Sequence, residues 1–175
     1  MRYTFESERL LLRPYGPDDW PHVHRLWTDP TIVWWRANDP MAEDETRDLH
    51  GRYVGINGAA ASGFGWWLVF DCSPDEKLIG QVALKPLPDI PGETEVVWQI
   101  LREYHGEGYA TEAGREMLRH GFGAMALEQV VAPIVPTNAP SVAVARRLGL
   151  KKVDEIMKGG LPHHLFGISR TEWSA

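Results

Sequence analysis

The 175-residue chain carries 18 lysines and arginines against 24 aspartates and glutamates, a net charge of −6, with 43% hydrophobic residues. That length suits one domain, residues 1–175, with a core that needs no staple. The acidic balance disfavours a nucleic-acid partner, which wants a basic surface, and by weak long-range attraction of cations moves amines, basic peptides and polyamines up the list of acceptors.

No apolar run approaches membrane-spanning length and the first residues lack a signal-peptide stretch, so a cytoplasmic protein with no membrane partner is expected. The single Cys72 excludes an internal disulfide and a cysteine zinc site, and is expected half-buried at a strand end.

Residues 5–14 read as a strand, with Leu10 and Leu12 alternating against Arg9, Leu11 and Arg13 until Pro14 stops it. Pro17-Asp18-Asp19 opens a short helix in which Trp20, Val23, Leu26 and Trp27 recur at helical spacing up to Asp29-Pro30. A second helix runs from Met41 to about Gly55, acidic early and basic later, as the helix dipole favours. Between them Ile32, Val33, Trp34 and Trp35 are too apolar for a solvated loop and line the core or a pocket.

A small-residue surface loop at 57–63 precedes strands at 65–70, 77–84 and 94–101, an expected antiparallel meander. The period then changes, giving a helix over 110–122, a strand over 129–135, a helix over 138–148 closed by Gly149, and strands over 152–157 and 165–171. Strand, crossover helix and strand between 94 and 135 imply a parallel pair, so the fold class is α/β with a mixed central sheet flanked by helices.

Gly106 and Gly108 stand between a strand end and a helix start, where free amides and the helix dipole favour an anion, phosphate above all. A dinucleotide fingerprint wants glycine or alanine where Thr111 stands, and a hydrolase phosphate loop wants Gly-Lys-Ser/Thr, which is absent. His163-His164 suggests no metal, since neighbours on a strand face opposite ways and a third ligand is missing.

From residue 5 to 173 the chain resembles the GNAT superfamily of N-acetyltransferases, in the branch of ribosomal-protein N-terminal acetyltransferases. The resemblance rests on Arg9-Leu10-Leu11-Leu12-Arg13-Pro14, Trp27-Thr28-Asp29-Pro30, Leu78-Ile79-Gly80 and the Glu95 strand. It continues in the run from Gly106 to Ala113, Asn138-Ala139-Pro140-Ser141, and Arg147-Leu148-Gly149-Leu150. It implies splayed parallel strands gripping acetyl-CoA and direct transfer of acetyl to a primary amine, on a protein N-terminus or a small molecule.

The resemblance also implies the residue roles. The pantetheine arm would meet Ile100 and Leu101, and the pyrophosphate the amides of Arg102, His105, Gly106, Glu107, Gly108, Tyr109, Ala110 and Thr111. His105 stands where the family has Gln or Arg, which removes one phosphate contact. Glu95 aligns with the base, and a partly buried carboxylate suits that task. The family's tyrosine acid is replaced by Ala145, leaving Ser141 as proton donor and Asn138 to hold the pantetheine amide; a plain helix cap is the competing reading of both.

Trp35, with Trp34 and Trp66 or Trp67, would wall the acceptor amine. A homodimer is compatible with the aromatic content. A non-catalytic acyl-CoA-binding sensor or interaction module is the alternative function.

Overall fold

Eight strands in one sheet and four helices make up the computed structural model, which describes residues 3–33, 39–58 and 63–174. The strands are β1 (Phe5–Glu6), β2 (Leu10–Pro14), β3 (Gly65–Asp71), β4 (Leu78–Pro86), β5 (Thr94–Ile100), β6 (Gln129–Ile134), β7 (Lys151–Lys158) and β8 (Leu161–Ser169). The helices are α1 (Trp20–Trp27), α2 (Glu43–Gly58), α3 (Tyr109–Phe122) and α4 (Ala139–Arg147). Spatial order is β1-β2-β3-β4-β5-β6-β8-β7, antiparallel everywhere except at β5–β6. The expected mixed α/β sheet and its central meander are therefore present.

Two strands differ from expectation. Residues 5–14 break into β1 and β2 because Ser7 turns the chain: its amide donates to Leu10 O at 2.9 Å and its Oγ accepts from the Leu10 amide at 3.2 Å. β8 begins at Leu161 rather than 165, because Gly159 and Gly160 (φ 58° and 79°) form a two-residue turn that pairs Lys158 directly with Leu161. Cys72 is exposed, not half-buried, since it lies just past the end of β3.

Alternation along the strands divides the core. Leu10, Leu12, Trp67, Val69, Val96 and Ile100 pack with Met117 and Leu118 of α3 and Ala145 of α4. On the other face Leu68, Trp66 and Phe70 pack with Val23, Leu26 and Trp27 of α1 and Tyr53 of α2. Gly80 fixes how β4 meets the end of β5: a Cβ there would lie 2.2 Å from Gln99 O and 2.9 Å from Ile100 Cα. Among the described residues no helix is long and apolar enough to cross a membrane.

Candidate active site

Parallel β5 and β6 share one register pair, Glu95 with Val131, and part beyond it. Because α3 follows β5 and α4 follows β6, both helix N-termini lie at the end where the strands separate, the usual ligand crevice of a parallel pair. The Leu101 amide donates to Ile79 O at 3.0 Å, so it faces β4. By alternation the backbone groups of Trp98 and Ile100 face the opened side. His105 Nε2 donates to Ile100 O at 2.8 Å, so this histidine ties down the strand end.

Beyond a short 3-10 turn at Arg102–Tyr104, Gly106 and Gly108 adopt φ of 87° and 85°, a conformation glycine tolerates best. The amides of Gly106, Glu107, Gly108, Tyr109 and Ala110 have no hydrogen-bond partner among the described residues. A Cβ on Gly106 would meet nothing within 4 Å, so the space at that position is open. Thr111 Oγ1 is buried without a partner at the same helix start. This arrangement suits a phosphate.

The cradle is narrower than expected. The Arg102 amide donates to Asp29 Oδ2 at 3.0 Å, the His105 amide to Arg102 O at 3.2 Å, and the Thr111 amide to Gly108 O at 3.0 Å. Only the five amides between them are free, because these others serve the turn itself.

Two contacts brace the loop. Glu112 accepts from the Arg9 amide (3.0 Å), Arg9 Nε (2.8 Å) and Ser7 Oγ (2.7 Å), while Arg9 Nη1 donates to Glu107 O at 3.1 Å. Burial would raise the Glu112 carboxyl, but hydrogen bonds from Ser7 and Arg9 outweigh it and hold it below its ordinary value. Asp29, at the end of α1, likewise sits low: burial is opposed by donors from Thr31 and Arg102. Sequence reading quotes these residues as family marks without tasks, since their partners lie 103 and 73 residues away.

Glu95 projects from β5 toward the α1/α2 face, at the fork of the parallel pair, and is 6% exposed. Its Oε2 accepts from Lys85 Nζ at 2.5 Å and its Oε1 from Lys158 Nζ at 2.6 Å. Lys85 stands opposite Glu95 in the β4–β5 register, a signal readable from a correctly aligned hairpin; Lys158 arrives from the β7–β8 tip and leaves no local signal.

Asn138 caps α4, its Oδ1 accepting from the Ser141 amide at 3.1 Å, and Ser141 is half-buried in the first turn. Trp34 and Trp35 lie outside the described residues. Trp66 is stacked on Tyr53 (4.3 Å between centroids) on the α1/α2 face, whereas Trp67 belongs to the α3 face and donates to Tyr3 O at 2.8 Å. No group of three or more metal-ligating side chains occurs among the described residues. His163 Nδ1 lies 2.9 Å from Leu161 O, and His164 Nε2 lies 3.5 Å from Glu155.

A family model described as the acetyltransferase (GNAT) domain matches residues 9–151. The chain is 28% identical over 159 residues to FsC-acetyl coenzyme A-N(2)-transacetylase of Aspergillus fumigatus, covering 86% of this chain and 66% of that protein. It is 26% identical over 152 residues to spermidine N(1)-acetyltransferase of Escherichia coli K12, covering 86% and 77%. The crystal structure of a GNAT-family acetyltransferase from Bacillus anthracis superposes with a TM-score of 0.79 at 24% identity, covering 97% of this chain and 99% of that one, and shares the fold.

Proposed function

Because the chain belongs to the GNAT acetyltransferase family and is an acetyl-CoA-dependent N-acetyltransferase, we propose that residues 1–175 act as one domain acetylating an α-amine, on a peptide N-terminus or a small molecule. The observation that carries the choice of amine is the engagement of both Glu95 oxygens by ammonium groups. Each oxygen that would meet the amine's proton therefore already accepts from an ammonium donor. A lysine-like amine, with a reference pKa of about 10.4, is almost wholly protonated near neutrality; an α-amine, at about 7.7 to 8.0, offers a sizeable neutral fraction without a strong base.

Acetyl-CoA, when bound, supplies the thioester carbonyl that the amine attacks. The five free amides from Gly106 to Ala110 and Thr111 Oγ1 are the groups suited to its pyrophosphate. Trp98 would offer its backbone groups, and Ile100 its amide, to the pantetheine arm, the Ile100 carbonyl being held by His105. Glu95 would hold Lys85 and Lys158 beside the reacting amine, the proton lost from its nitrogen would pass to solvent, and Ser141 Oγ would give its hydrogen bond to the leaving sulfur. Nothing in this scheme needs a covalent enzyme intermediate.

The test is thiol release at pH 7.5 from acetyl-CoA with two matched peptides, one with a free α-amine and blocked lysine, the other with a blocked N-terminus and free lysine. The α-amine peptide should react about tenfold faster or more. Equal rates, or preference for the lysine, would sink the α-amine assignment.

A further inference from the structure

We propose that Lys85 and Lys158 make this acceptor site selective for an amine whose own molecule carries a nearby carboxylate, and turn it against polyamines. The proposal rests on the acetyltransferase reading of the Glu95 site and deepens it to a substrate class.

Glu95 has one ammonium on each carboxylate oxygen, at 2.5 and 2.6 Å. Two positive charges against one negative leave the fork of β5 and β6 net positive. Among the described residues neither lysine has another ion-pair partner. Each ammonium has three N–H donors and gives one to Glu95. With 24% and 26% of their side-chain surfaces exposed, both lysines remain within reach of a ligand from solvent.

The placement of these charges is built in from two directions. Lys85 is held by register, opposite Glu95 on the neighbouring strand. Lys158 is the last residue of β7, and the hairpin that bears it is seated by Ile156 against Leu87, Val131 and Leu165. The charge therefore comes from opposite sides of one buried carboxylate 63 residues from Lys158 in sequence.

A polyamine would bring further ammonium groups against a locus already short of negative charge. A carboxylate beside the reacting amine does the reverse, taking the spare N–H donors of one or both lysines. The chain's overall charge of −6 attracts cations at a distance, but that field is screened beyond about 8 Å at physiological salt, so the local lysines govern contact. Free acidic amino acids and acidic peptide N-termini share this chemistry.

The experiment measures kcat/KM by thiol release for free glutamate, a peptide beginning Ser-Glu-Glu, the matched peptide beginning Ser-Gln-Gln, and spermidine. The acidic peptide, glutamate or both should exceed the neutral peptide by about tenfold or more, with spermidine lowest; which of the two leads identifies the source. Lys158→Gln and Lys85→Gln should each collapse the acidic-to-neutral ratio through KM, while Lys158→Arg, which keeps the charge, should retain it. An equal rate on acidic and neutral peptides, a spermidine preference, or a ratio indifferent to both Gln variants would overturn the proposal. A preference for lysine amines with the acidic ratio intact would sink only the α-amine assignment. No binding of acetyl-CoA by calorimetry would overturn the site as a whole.

Discussion

Arg9 and Glu112 join the second strand to the first turn of α3: Nε meets Oε2 at 2.8 Å, Nη2 meets the same oxygen at 2.6 Å, and the Arg9 amide meets Oε1 at 3.0 Å. The same guanidinium lies 4.5 Å from the Tyr109 ring centre and donates to Glu107 O, so one side chain braces the middle of the glycine loop and the start of α3.

Glu112→Gln should cost about 1–2 kcal/mol near pH 7, a modest figure because Arg9 is partly exposed, and should weaken acetyl-CoA binding by loosening the loop. The folded carboxyl sits below its ordinary value of 4.5, so its stabilisation is complete above that value and is lost as pH falls through the lower folded value. Urea titrations of both proteins from pH 7 to 3 should show the difference in midpoint vanishing at the acid end.

Gly106→Ala separates loop conformation from ligand space. With nothing within 4 Å of the added Cβ, its stability cost comes from φ of 87° alone, about 1–2 kcal/mol. The methyl group would nonetheless enter open space at one of the five free amides, and acetyl-CoA binding should fall about tenfold or more by calorimetry. Unchanged affinity would show that the phosphates lie elsewhere.

Gly80→Ala meets backbone rather than a pliable side chain, Gln99 O at 2.2 Å. Strands β4 and β5 would have to separate there, at a cost of about 3 kcal/mol. A lowered denaturation midpoint together with weaker acetyl-CoA binding is expected, since Trp98 and Ile100 would shift with the strand.

Asn138→Ala should lose about 1 kcal/mol through the missing cap of α4. Ser141→Ala leaves that cap in place. If its hydroxyl serves the leaving thiolate, kcat should drop by about a hundredfold with little change in acetyl-CoA affinity. A variant with full kcat would assign Ser141 to the helix turn alone.

The architecture was legible because its signals are local. The β-branched and aromatic runs separated by turn-formers in residues 65–101, and the change of period at the glycine turn before α3, indicate the meander and the parallel crossover without any distant partner. β8 begins four residues earlier than the strand expected over 165–171, because the Gly159-Gly160 turn pairs Lys158 with Leu161. The site was half legible. Glu95, Gly106 and Gly108 lie within one quoted stretch, but the cations on Glu95 and the ties at Arg102, His105 and Thr111 depend on folded contacts. Leu101 was named for the ligand although its amide belongs to β4, a distinction only strand register can draw.

The single Glu95–Val131 pair also has a mechanical side. Five strands on one flank and three on the other share that single register pair; the Lys158–Glu95 ion pair, the apolar cluster that Ile156 shares with Leu87, and α3, which packs against β2, β4, β5 and β6, also cross between them. Gly121 lies in that seam, where an added Cβ would come within 3.2 Å of both Leu84 on one flank and Leu127 just before the other. The helix that helps hold the two flanks together is thus the one whose opposite end follows the glycine turn proposed to hold the phosphates.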